Sequence, residues 1–377
     1  MKILAVDHNA LDPTNRIFYD ELSRQPGIEL RLIVPSNWYD NYNDLAWDVS
    51  GKEIPYDIVP SKTFFSRWTH RLLYTSLRSE LRYFDPDILF MNAEPENYQT
   101  FHAAFLLSAD HYRAKLVFTS WRNIDHSVVG FPYKLSYIHK LAEQFVLDGA
   151  THGIVFNNDA KKIFAKIGFP KTTVIPPFVD TSVFHKMERD ILPIPGRETT
   201  FTIGYIGRVI PEKGIDLLLR AASELPFPAS VIIIGNGKAK PSLQKLAAEL
   251  HIADRVLWIP PQSRASIPSY LNALDAVVLP SRTGKYWKEQ FGRILIEAMA
   301  CGTPVIGSDS GEIPNVIGDA GLVFPEGDAI KLREKIIALH DDANLRSSLI
   351  MKGKEKQEKM YSLPAVLEKH LEVFRKI

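Results

Sequence analysis

Short apolar runs alternate with segments of helical periodicity along most of the chain. In the first half the runs Ile3–Val6, Glu29–Val34, Asp57–Val59, Ile88–Met91, Leu116–Thr119, Gly153–Phe156 and Thr173–Ile175 predict strands. The amphipathic stretches Thr69–Tyr83, Asn97–Ala109, Pro132–Asp148 and Asp159–Ile167 predict helices between them. Strands rich in Ile, Val and Leu on both faces imply a parallel sheet covered on both sides by helices. Strand–helix alternation implies crossover connections and a doubly wound α/β fold.

The rhythm stops over Pro176–Thr200, which carries Pro176, Pro177, Pro193 and Pro195 and the charged stretch Lys186–Asp190. This reads as an interdomain linker. It restarts with predicted strands at Thr202–Ile206, Ser230–Ile234, Val256–Ile259, Ala276–Leu279, Pro304–Gly307 and Leu322–Phe324. Helices are expected near Ile215–Ser223, Pro241–Leu250, Ile267–Ala273, Arg293–Ala300, Ala329–His340 and Asn344–Lys356, with a last one over Pro364–Lys376. The chain is therefore expected to hold two Rossmann-like units in tandem. Ligands bind such sheets at the carboxyl ends of the strands. Two units facing each other would place those ends around a central cleft.

Composition sharpens this picture in three places. A chain of 377 residues is long for one core, so two domains are expected. The formal net charge of +1 provides no global field for nucleic acid, which is not expected as a partner. The single cysteine, Cys301, excludes a disulfide framework within the chain, in keeping with the cytoplasm. It reads as a buried small residue. The opening MKILAVDHNALDPTNR reads as a first strand rather than a signal peptide, and no apolar stretch approaches the ~20 residues needed to span a bilayer.

The most informative stretch is EQFGRILIEAMACGTPVIGS, Glu289–Ser308. Gly292 permits close approach of the backbone to a ligand just where a helix starts. The free N–H groups of that helix, with Arg293 and Ile294 in its first turn, suit a diphosphate. Glu297 lies about a turn further on, where a carboxylate can accept from the vicinal hydroxyls of a ribose. Glu289, eight positions earlier, would not share its helix face and is expected in the preceding loop, directed at a sugar.

This stretch resembles the signature of the retaining GT-B glycosyltransferases of family 4, with seven residues between paired glutamates. GYIGRVIPEKGID, LPS at Leu279–Ser281, SGEIPNVIGDAGLVF and, before the linker, GIVFNNDAKKIFAKIGFPKTTVIPPFVDTSVF match that family in the expected order. The resemblance implies the GT-B fold, with an acceptor domain over 1–178, a nucleotide-sugar domain over 179–360, and a C-terminal helix over 361–377 that crosses back to the first. It implies retention of configuration without a metal or other cofactor. The substrates would be a UDP- or GDP-sugar donor and a glycan or lipid-linked acceptor, as in polysaccharide synthesis. Arg208 and Lys213 match the basic pair on the donor diphosphate, where fixed cations stabilise the leaving group's growing charge. With Glu289, the acid that contacts the sugar, they form the expected catalytic set. The donor set adds Gly207, Gly235, Gly237, Gly292, Arg293, Ile294, the ribose acid Glu297, Ser310 and Gly311, with Glu312 beside them.

The first half departs from the family. DHNALDPTNR lacks the usual glycine loop, and FTSWRNIDHS has Trp121, Arg122 and Asn123 where a histidine is expected; His126 is near enough to substitute. His8, Asn9, Asn92, Glu94, Arg122 and Asn123 follow predicted strands and are the acceptor-site candidates. Asp85-Pro86-Asp87 matches a metal-binding pattern only on paper, because it precedes a strand and its proline makes a turn. The stretch 61–84, SKTFFSRWTHRLLYTSLRSELRYF, mixes Lys62, Arg67, Arg71, Arg78 and Arg82 with Phe64, Phe65 and Trp68. As a helix it suits the inner face of an anionic membrane, but it suits somewhat better a helix that packs its Leu and Tyr face on the sheet and solvates its basic side. A nucleotide-sugar epimerase, a phosphorylase and a non-catalytic nucleotide-sugar sensor remain alternatives. A nicotinamide oxidoreductase would need G-x-G-x-x-G after the first strand, which is missing.

Overall fold

The computed structural model describes residues 1–39, 44–47, 54–126, 130, 136–187 and 200–377. It divides into two α/β units: Met1–Ile175 with Leu367–Ile377, and Pro176–Val366.

The first unit is built on a seven-stranded parallel sheet. Its strands run in the order Thr172–Val174, His152–Val155, Lys115–Ser120, Ile88–Met91, Lys2–Val6, Glu29–Pro35 and Asp57–Ser61. The second unit has a six-stranded parallel sheet in the order Val256–Ile259, Ala229–Ile234, Phe201–Ile206, Ala276–Leu279, Val305–Ser308 and Leu322–Phe324. Both are Rossmann-like. The central strands Ile88–Met91, Ala276–Leu279 and Val305–Ser308 are buried at every position, because helices cover both faces. In each sheet the order reverses beside the first strand, between Lys2–Val6 and Ile88–Met91 and between Phe201–Ile206 and Ala276–Leu279. Those reversals open crevices at the carboxyl ends, where ligands bind in this class of sheet.

One predicted element is replaced. In place of the expected helix Thr69–Tyr83 come a 3-10 turn, Thr69–Arg71, the strand Leu73–Tyr74, which pairs with Thr63–Phe64 as a β-hairpin, and a shorter helix, Leu77–Phe84. Leu72 and Tyr74, two apart, are fully buried, which is strand spacing. Leu77, Leu81 and Phe84 keep helical spacing and bury one face. Of the expected helix Pro132–Asp148, residues 132–135 lie outside the described residues, and Ser136–Gly149 is helical. Of the expected linker, 188–199, with Pro193 and Pro195, lies outside the described residues. Residues 176–187 pack within the second unit: Val179 N–H donates to the Tyr361 carbonyl, Phe184 is buried, and Met187 N–H donates to Asn272 Oδ1.

The final helix, Leu363–Lys376, carries the chain from the second unit into the first. There Phe374 meets Phe90 edge-on at 5.4 Å between ring centres, and His370 meets Phe18 at 4.7 Å. Among the described residues no helix is long and apolar enough to cross a membrane.

Candidate functional site

In the second unit the predicted donor residues lie in loops at the carboxyl ends of the strands. Lys213 closes a short 3-10 turn after Phe201–Ile206, and Glu289 lies in the loop before the helix Arg293–Ala300. They meet: Lys213 Nζ donates to Glu289 Oε2 at 2.6 Å, with the two side chains only 13% and 9% exposed. Ser281, just past Ala276–Leu279, donates its hydroxyl to the same oxygen at 2.7 Å. The Lys213 ammonium also lies 5.3 Å from the centre of the Trp287 ring, a cation–π contact.

The SGE turn is fastened to Glu289 from the other side. Glu312 N–H donates to the Glu289 carbonyl at 3.2 Å, and Ser310 Oγ lies 2.9 Å from Thr283 Oγ1. Gly311 has φ +59°, and a β-carbon there would stand 2.0 Å from the Glu289 carbonyl oxygen. Only glycine fits both the left-handed backbone and the close approach.

Gly207, Gly235 and Gly237 stack their backbones in neighbouring loops. A β-carbon on Gly235 would lie 1.9 Å from the Gly207 carbonyl oxygen, and one on Gly237 would lie 2.2 Å from that of Val209. Arg208 is exposed at this edge, and its carbonyl accepts from the Tyr205 hydroxyl at 2.6 Å. Burial, then the charge of Glu289, push the Tyr205 pKa upward, which keeps it a neutral donor.

Gly292 caps the helix Arg293–Ala300 with φ +84°. Arg293 is exposed at its first position, and Ile294 and Glu297 are half-buried. Burial raises the Glu297 carboxyl above the usual range, opposed by Arg293 and Arg264. Cys301 is fully buried. The structure thus joins Lys213, Glu289, Gly311 and Glu312 directly. Glu297 belongs to a separate set with Arg293 and Arg264.

In the first unit the acceptor candidates fall into two networks. Asp7, which no sequence motif singles out, is the hub of one. It accepts from Asn9 N–H at 2.8 Å, Tyr19 Oη at 2.9 Å and Asn92 Nδ2 at 2.7 Å. His8 is buried edge-on against Trp38 at 4.8 Å, and burial lowers its pKa. Asn9 is exposed.

The second network is centred on Arg122. Its buried guanidinium donates to Glu96 Oε2 at 2.8 Å and contacts Glu143 Oε1 at 2.5 Å. Burial works against its charge, but Glu96, Glu143 and Glu94 hold its pKa above the usual arginine range. Glu94 accepts from Ser120 Oγ at 2.5 Å and from Trp121 N–H at 2.6 Å, tying two strand ends together. Burial and then Glu96 raise its pKa. His126 lies 3.9 Å from Glu96, and burial followed by Arg122 pushes its pKa down to about 4. Asn123 is half-buried alongside. A cavity of about 350 Å³ opens here, lined by Arg122, Asp125, His126, Lys140 and Glu143 among others. Of the Asp-x-Asp pattern, Asp87 accepts from Lys2 N–H at 2.7 Å, and Asp85 ends a helix in a left-handed turn.

Ser281, Thr283 and Trp287 in the second unit, and Asp7, Glu96 and Glu143 in the first, were missed as site residues. Ser281 stood in the LPS match; the rest carry no local signal.

Residues 188–356 match the family model described as glycosyl transferases group 1. A D-inositol 3-phosphate glycosyltransferase of Mycobacterium marinum is 34% identical over 191 residues, covering 48% of this chain and 40% of the relative. One from Mycolicibacterium smegmatis is 35% identical over 193 residues, covering 48% and 43%. The chain thus matches less than half the length of these curated relatives. Among solved structures, sucrose-phosphate synthase from Thermosynechococcus elongatus aligns with a TM-score of 0.73 and 17% identity, covering 100% of this chain and 98% of that one. Anabaena HepE in complex with UDP-glucose aligns with a TM-score of 0.70 and 17% identity, each chain covered in full. At that identity the likeness is one of fold, GT-B.

Proposed function

From the premise that residues 188–356 are a glycosyl transferases group 1 domain, we propose that this chain transfers a sugar, with retention and without a metal, from a nucleoside diphosphate sugar to a glycan or lipid-linked acceptor. The observation that carries the proposal is the meeting of Lys213, Glu289 and the SGE turn at the carboxyl end of the second sheet. Lys213 and the exposed Arg208 take up the charge that grows on the departing diphosphate, the role a metal has elsewhere. Glu289, fixed by Ser281 and by its own backbone, orients the donor sugar. Glu297, on the helix Arg293–Ala300, has carboxyl oxygens able to accept from ribose hydroxyls. The acceptor is held at the carboxyl ends of the first sheet. Anabaena HepE, which shares the fold, was solved in complex with UDP-glucose, and this supports a UDP-sugar as the donor to try first.

Binding and turnover are tested separately. UDP, GDP and their sugars are screened for a rise in melting temperature, since a ligand that binds only the folded state stabilises it. Glu297→Ala is expected to weaken the nucleotide that scores by tenfold or more. Arg208→Ala removes an exposed side chain, so it should leave the melt alone and lower kcat by roughly 10²-fold. Unchanged kcat in Arg208→Ala removes the leaving-group role. Nucleotide-sugar binding with no release of nucleoside diphosphate would make the protein a sensor instead.

A further inference from the structure

We propose that the hairpin Thr63–Phe64/Leu73–Tyr74 is a docking element for an anionic lipid bilayer. Its inner side is anchored in the first unit by Leu72 and Tyr74, both buried in the core. Its tip turns the other way. Phe64, Phe65 and Trp68 are 62%, 52% and 51% exposed, three large aromatics within five residues. Their position is built, not frayed. Trp68 N–H donates to the Phe65 carbonyl at 2.9 Å, and Arg71 N–H donates to that of Trp68 at 2.8 Å. Phe65 is held at φ +60°, a backbone conformation costly for a residue with a β-carbon.

Along the hairpin's own stretch of chain the charge has one sign. From Ser61 to Ser79 the chain has Lys62, Arg67, Arg71 and Arg78 and no carboxylate. Arg78 is paired with Asp110 at 3.2 Å. Lys62 and Arg67 are exposed, and the Arg71 guanidinium lies 5.9 Å from the Trp68 ring centre. Aromatic prongs flanked by cations match a membrane interface. The rings enter the boundary between headgroups and acyl chains, and the cations meet lipid phosphates. A second copy of the chain is a poorer occupant, since a two-fold contact through the tip would bring like charges together. Strand addition by a peptide is also a poor fit, because each strand has only two residues.

The test uses the full chain without any sugar donor, so its outcome is independent of the glycosyl-transfer reading. Co-sedimentation is measured with vesicles of phosphatidylcholine alone and of phosphatidylcholine with phosphatidylglycerol. The protein should pellet with the anionic vesicles only, and less so as salt rises. Phe64→Ser with Trp68→Ser, and Lys62→Gln with Arg67→Gln, should each weaken that binding by roughly tenfold or more. Unchanged melting curves would show that both variants fold. Failure of the parent to bind anionic vesicles, or variant binding equal to the parent's, overturns the proposal. So does a dimer in light scattering that the aromatic variant abolishes, which would assign the tip to a second copy.

Discussion

Lys213 and Glu289 are 76 positions apart and share a proton-bearing contact of 2.6 Å in a place nearly closed to water. A buried pair of this kind contributes little by itself, but removing one member strands the other. Lys213→Met should therefore destabilise the second unit by ~3–5 kcal/mol. Adding Glu289→Gln should restore a good part of that, as read from urea unfolding of all four proteins in the cycle. A double variant no more stable than the single would mean that the pair is not coupled. On the proposed function, the same contact means that a donor diphosphate would compete with Glu289 for the ammonium. Each residue was readable from its motif; their pairing was not, because a contact between distant segments leaves no local pattern. Arg122 is the converse case. Sequence marked it as a loop residue after a strand, whereas its guanidinium is buried between Glu96 and Glu143.

His126 carries a prediction of definite sign. Its folded pKa of about 4 lies below the ordinary histidine value of about 6.5. Between those values the unfolded chain binds a proton that the folded one excludes, so this group's effect is to lower stability as pH falls from about 6.5 to 4. His126→Gln should flatten the fall in urea midpoint over that interval relative to the parent. Parallel curves would mean that His126 titrates normally.

At the scale of elements, the strands were legible because a parallel strand covered on both faces is a continuous apolar run. The hairpin was not. Strands of two residues are too short to show a period, and the basic residues around them imitate the polar side of a helix. The SGE turn was placed by motif, but its physical demand lies in the chain it touches. Gly311→Ala would combine a left-handed φ with a β-carbon 2.0 Å from the Glu289 carbonyl oxygen. The expected cost is about 1–3 kcal/mol in the second unit, with Glu289 displaced and turnover lost. Full activity and an unchanged melt in this variant would show that the turn yields without disturbing Glu289.

For the molecule as a whole, two successive rhythms of strand and helix with a proline-rich interval were enough to indicate two units. For the last helix the family resemblance implied a return to the first unit, whereas nothing in the sequence showed which unit residues 176–187 join, since that depends on packing. Residues 176–187 pack within the second unit and 367–377 within the first. Removing 367–377 should therefore loosen the first unit selectively. Hydrogen exchange should rise around Phe90 and Phe18, which lose His370 and Phe374, and should stay level across the second sheet. Equal loss of protection in both sheets would be the contrary result.

The return of the last helix also orders events at the ribosome. The second unit is contained within Pro176–Val366, whereas the first sheet, made before it, waits for Leu367–Ile377, which follow the whole of the second unit. Until then Phe90 lacks its Phe374 neighbour. Of the two units, the one begun first is thus the one completed second, and a ribosome stalled over Leu363–Lys376 would leave it as the natural substrate for a chaperone.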